Sequence, residues 1–171
     1  MVKKSLLILG ITIVLVLALF MVYGIVEKVS AKKETQTKIQ SIPIHAPLIG
    51  LDSARFNIPT DKNLVLIYFN SECEHCQYEL SQLNENIAEF EGIQFVLMSS
   101  ENLSTIKSTS VKYELDRFDN IQFVKINPEN VFDNFGSLSV PNIFIYGADG
   151  KLIKEFRGET KMEAILKYAK P

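Results

Sequence analysis

The chain has 171 residues, of which 47% are hydrophobic, with a formal net charge of −2 and two cysteines. That length holds one ordinary domain and some spare chain, which excludes a TIM barrel or a large multidomain enzyme. Two cysteines are too few for a small disulfide scaffold or a cysteine-rich zinc site, and the near-neutral charge offers nothing to attract nucleic acid.

The hydrophobicity is unevenly spread. Residues 5–26 are 22 consecutive uncharged positions, 18 of them apolar. As a helix they would extend about 33 Å, the thickness of a bilayer's hydrocarbon core. The stretch exceeds the apolar core of a cleaved signal peptide, although Val29-Ser30-Ala31 has the small-residue shape of a cleavage site. We therefore expect a short cytoplasmic N-terminus (1–4), an uncleaved transmembrane signal-anchor helix (5–26), a polar tether (27–42) and a folded domain (43–171). Lysines flank the span on both sides, so the positive-inside rule does not orient it. From Glu34 onward, 13 basic residues face 19 acidic ones, so the overall balance hides an acidic C-terminal part.

Residues 31–41 (AKKETQTKIQS) read as an extended linker of at most about 35 Å. Residues 64–69 (LVLIYF) form an apolar run of strand length, the pattern of a central strand buried on both faces. A helix is expected over 74–90, with Leu80, Leu83, Ile87 and Phe90 on the face toward the sheet. Then come a strand at 93–98, a more polar helix over 103–118, a strand at 121–126 and a short helix at 129–135 stopped by Gly136. Strands at 142–146 and 152–156 flank Ala148-Asp149-Gly150-Lys151, a hairpin signal, and a helix over 160–169 follows. Alternating strands and helices with a final hairpin give an α/β sheet with an antiparallel edge.

Both cysteines lie in Cys73-Glu74-His75-Cys76, directly after the buried strand and at the start of a helix. Unpaired backbone N–H groups and the positive end of the helix dipole favour a thiolate at Cys73. The i to i+3 spacing puts both side chains on one face, within reach of a disulfide. Cys73 is thus the candidate nucleophile toward a substrate disulfide, and Cys76 the residue that resolves the mixed disulfide. There are two alternatives. A static disulfide would close too small a loop to remove much chain entropy. A metal site of Cys73, His75 and Cys76 lacks a second ligand cluster, His45 being the only other histidine. Between the cysteines, His75 is positioned to stabilise the thiolate, whereas Glu72 and Glu74 oppose it.

The strand 64–69, the Cys73–Cys76 motif, Val140-Pro141 before a strand, and the Asp149-Gly150-Lys151 hairpin occur in this order over residues 43–170. In that combination the chain resembles the membrane-anchored TlpA/ResA-like group of thiol–disulfide oxidoreductases. The resemblance implies a thioredoxin-like fold, a mixed central sheet flanked by helices, preceded by one transmembrane helix. It implies a cis Pro141 beside the cysteines, with the Val140 backbone pairing an extended substrate segment. It also implies a proton-handling role for Glu79, one turn beyond Cys76. Two departures stand out: Glu72 occupies the position where thioredoxins usually have tryptophan, and Ile67 that of thioredoxin's buried aspartate.

These readings converge on a membrane-tethered enzyme, its domain outside the cytoplasm, exchanging disulfides with exported proteins, as reductant rather than oxidant. Such a reductase needs a membrane electron-donor partner and no soluble cofactor. The competing class is a Cu(I)-binding metallochaperone using the same Cys-x-His-Cys cluster.

Overall fold

The computed structural model describes residues 2–43, 45–136 and 138–170. It divides into two units, residues 1–37 and 38–171. The first holds helix α1 (Val2–Lys38) up to its last residue, Lys38, which belongs to the second. Over Ile13–Lys38 it is long and apolar enough to cross a membrane. Leu15, Leu19, Phe20 and Val22 are all exposed. A helix apolar on every side suits a lipid surround rather than a water-facing one.

The helix does not stop at residue 26. It runs through the segment expected to be an extended tether, because Ala31, Lys32, Lys33, Glu34 and Gln36 are good helix formers with no breaker among them. The next residues belong to the globular unit: Ile39 and Ile42 are buried. The Ile42 N–H donates to the Gly150 carbonyl at 2.9 Å, and Leu152 N–H to that of Gln40 at 2.9 Å. Packing therefore begins before residue 43.

Among the described residues, the globular unit is built on one seven-stranded mixed sheet. Its strands are β1 (Leu48–Gly50), β2 (Arg55–Phe56), β3 (Leu64–Tyr68), β4 (Gln94–Ser99), β5 (Ile121–Lys125), β6 (Asn142–Tyr146) and β7 (Leu152–Arg157), in the order β2-β1-β5-β4-β3-β6-β7. The central β5-β4-β3 pairings are parallel, and all the others are antiparallel. The sheet thus has two antiparallel flanks, not one, since β1 and β2 are too short to show any periodicity.

Alternation along β3 divides the core. Val65 and Ile67 face one side, where Leu80, Leu83, Phe90, Ile106 and Ile165 of the helices pack. Leu64 and Leu66 face the other, with Ile39, Leu48, Val131, Phe135 and Tyr146. The helices are α2 (Glu74–Asn86), α3 (Leu103–Lys112), α4 (Pro128–Phe135) and α5 (Met162–Ala169), with a 3-10 turn (Ile87–Phe90) after α2. Leu80, Leu83 and Phe90 are buried against the sheet as their spacing indicated, and Ile87 partly so.

Helix α3 ends at Lys112, six residues before the expected boundary. Leu115 N–H returns to the Ser110 carbonyl and Glu114 N–H to that of Val111, each at 3.0 Å. Glu114 has φ 53°. This is a Schellman cap with glutamate at the left-handed position and buried Leu115 closing it.

Candidate redox site

The site lies at the carboxyl end of β3, an interior strand between β4 and β6, where an open α/β sheet presents its crevice. After Phe69 the chain makes a tight turn. The Asn70 side-chain oxygen accepts the Glu72 N–H at 2.9 Å, and the Asn70 carbonyl accepts the Cys73 N–H at 3.2 Å. The turn delivers Cys73 to the N-cap of α2 with extended backbone (φ −82°, ψ 116°). Its carbonyl accepts the first helical bond, from Gln77 N–H at 2.9 Å.

Both cysteines are free thiols, Cys73 half-buried and Cys76 buried. Cys73 Sγ lies 3.8 Å from the Val140 carbonyl, to which its S–H donates. The Val140–Pro141 peptide bond is cis. Pro141 is held in turn, its carbonyl accepting the Gly158 N–H at 2.8 Å. Strand β6, paired antiparallel to β3, is what brings Val140 to the cysteines from 67 residues away.

Cys76 sits behind Cys73, and its pKa is pushed up to about 12. Burial is the main cause; the adjacent Cys73 thiol and the charge of Glu79 add to it, while the Asn70 backbone N–H, donating to the sulfur, works against it. Cys76 therefore needs a base to react at neutral pH. Glu79 is the buried carboxyl nearest in sequence, and it too is shifted, to about 7. Burial raises it, the Thr160 N–H donated to its Oε2 at 3.0 Å lowers it, and Glu159 raises it again. Its Oε1 is buried with no hydrogen-bond partner among the described residues.

His75 is turned outward. Its side chain is 69% exposed, and Nδ1 lies 2.8 Å from Glu159 Oε2. Two consecutive residues of the β7–α5 loop, Glu159 and Thr160, thus grip the active helix at His75 and at Glu79. Neither was singled out by sequence, nor was Glu101. The Glu101 carboxylate accepts the Ser71 N–H at 2.8 Å and the Ser71 hydroxyl at 2.6 Å, fastening the turn before Cys73. No signal in the sequence marks it. Among the described residues, no group of three His, Cys, Asp or Glu side chains converges to hold a metal ion.

A mixed sheet with a Cys-x-x-Cys helix start at its centre, facing a cis X–Pro bond, is the thioredoxin-like arrangement. No family model matches the chain. By sequence it is 24% identical over 113 residues to the thiol-disulfide oxidoreductase ResA of Bacillus thuringiensis subsp. konkukian, and equally to that of Bacillus cereus. The match covers 64% of this chain and 62% of each relative. The chain thus spans about three fifths of the length of the curated relatives it matches. Among solved structures it resembles a secreted Mycobacterium tuberculosis disulfide oxidoreductase homologous to DsbE of E. coli, with TM-score 0.63 and 17% identity over 74% of this chain and 96% of that one. It also resembles StoA from Bacillus subtilis, with TM-score 0.57 and 14% identity over 73% of this chain and 98% of that one. The fold is thioredoxin-like.

Proposed function

We propose that this chain is a thiol–disulfide oxidoreductase working through Cys73 and Cys76. The observation that carries the reading is the pairing of a half-buried cysteine at a helix start, its sulfur 3.8 Å from the Val140 carbonyl, with a fully buried second cysteine one turn on. The sequence likeness to ResA supports it.

Cys73, as thiolate, attacks one sulfur of a client disulfide, forming a Cys73–client bond and releasing the other client sulfur as thiolate. Glu79 takes the proton of Cys76. The Cys76 sulfur then attacks Cys73, closing the Cys73–Cys76 disulfide and releasing the second client thiolate. Two electrons have passed to the client. A membrane dithiol donor returns them by the reverse exchange. An extended client segment pairs with the Val140 backbone beside Pro141, and His75 tunes the stability of the Cys73 thiolate. Helix α1 anchors the chain in the cell membrane, with the globular unit on the extracytoplasmic side and exported proteins as its clients. The apolar length of α1 supports the anchor, and the persistence of client disulfides in oxidising compartments outside the cytoplasm supports the orientation.

The test uses the full chain in detergent. With a dithiol electron source it reduces insulin disulfides, and Cys73→Ser abolishes turnover. Stoichiometric Cu(I) binding without any disulfide turnover would overturn the redox reading in favour of a metallochaperone. A reporter fused after Pro171 tests topology, and activity confined to the cytoplasm would reject the orientation.

A further inference from the structure

We propose that Glu101 is a positioning residue for the dithiol, holding the Asn70–Cys73 turn that sets Cys73 at the N-cap of α2 and so aims its sulfur at Cys76. This rests on the thiol–disulfide reading above. Glu101 follows β4, 30 residues from Ser71, and reaches the turn because β3 and β4 run parallel with Tyr68 opposite Met98. The carboxylate makes three contacts. Oε2 accepts the Ser71 N–H at 2.8 Å and the Ser99 hydroxyl at 3.1 Å, and Oε1 accepts the Ser71 hydroxyl at 2.6 Å. The Ser99 oxygen in turn accepts the Glu101 N–H at 3.2 Å, so the carboxylate is itself held in place. The turn is also gripped from α2, where Gln77 Nε2 donates to the Ser71 carbonyl at 2.8 Å.

Ser71 is therefore fixed through its N–H, its hydroxyl and its carbonyl. Its neighbour Asn70 holds the rest of the turn, its carbonyl accepting the Cys73 N–H at 3.2 Å and its side-chain oxygen the Glu72 N–H at 2.9 Å. Charge-assisted bonds of this kind are stronger than neutral ones and more sensitive to loss of the acceptor. A carboxylate over the turn thus acts on Cys73 through backbone it orients, without touching the reacting atoms; closure onto Cys76 depends on that aim more than attack on a free reagent does.

The experiment follows the reduced full chain, in detergent, reacting with 5,5′-dithiobis(2-nitrobenzoate). The first thionitrobenzoate release reports attack by Cys73, and the second reports resolution by Cys76. Glu101→Ala is expected to slow the second release about three- to tenfold relative to the first, since one charge-assisted anchor is lost. Glu101→Gln, which keeps an acceptor oxygen but no charge, is expected to lie between Glu101→Ala and wild type. Should Glu101→Ala fail to fold by circular dichroism, Glu101→Gln decides. A second-to-first rate ratio within twofold of wild type in the folded variants would overturn the inference alone. Release of a single thionitrobenzoate per wild-type chain would overturn the dithiol reading and the inference with it.

Discussion

The Glu79 carboxylate and the Thr160 backbone N–H meet at 3.0 Å, joining the active helix to the loop that precedes α5. The contact satisfies one carboxylate oxygen only. A buried acid with one oxygen held and the other bare is poised between its two protonation states, which is the property a proton acceptor for Cys76 requires.

The resolving step should therefore follow Glu79. In Glu79→Gln, release of client from the Cys73 mixed disulfide is expected to slow about 10- to 100-fold, the usual contribution of a positioned base or somewhat less. The wild-type rate should rise with pH through a midpoint of about 7, and the variant should lack that midpoint. Stopped-flow measurement of resolution between pH 5 and 9 checks both.

The same shift makes stability pH-dependent. Glu79 titrates near 4.5 when exposed and near 7 when folded, so between these values the folded state binds the extra proton. Its contribution is most favourable below about pH 4.5 and is lost as pH rises through about 7. The loss is on the order of 3 kcal/mol. Melting should fall between pH 5 and pH 8 in wild type, and the Glu79 share of that fall should vanish in Glu79→Gln.

Glu159 raises Glu79 by like charge, so neutralising it should act in the opposite direction. In Glu159→Gln, the Glu79 midpoint is expected to drop below about 7, moving the pH profile of resolution toward acid. Carboxyl chemical shifts in a 13C-labelled sample report the midpoint directly. An unchanged midpoint would mean that the Glu159 charge is too well screened to matter.

Glu114 offers a test away from the chemistry. It occupies the left-handed position of the cap after α3, with φ 53°, where glycine is the favoured residue. Glu114→Gly is expected to stabilise the globular unit by up to about 1 kcal/mol, relief of about 1–2 kcal/mol of left-handed strain being partly offset by the greater unfolded-state entropy of glycine, read as a higher melting temperature. The gain is reduced by loss of the exposed Arg117–Glu114 pair at 3.0 Å, itself worth little.

What could be read from the sequence was what neighbours along the chain determine. The run 64–69 announced a strand buried on both faces, and it is buried on both faces. Cys73, Cys76 and Glu79 could be grouped because a helix brings positions three apart together. Glu101, Glu159 and Thr160 could not, because strand pairing and a hairpin carry them to the site across long separations. The end of α3 was hidden because glutamate, not glycine, fills the cap. Residues 31–38 were misleading for a related reason: polarity suggested a linker, while their helix propensity continued α1.

The central claim, that Cys73 exchanges with client disulfides and Cys76 resolves, is tested most directly by trapping. Cys76→Ala in the full, membrane-inserted chain should accumulate client proteins in mixed disulfides with Cys73. These would be visible as higher-mass bands on a non-reducing gel that collapse on reduction and vanish in Cys73→Ser/Cys76→Ala. Absence of any Cys73-dependent adduct in Cys76→Ala would contradict the account.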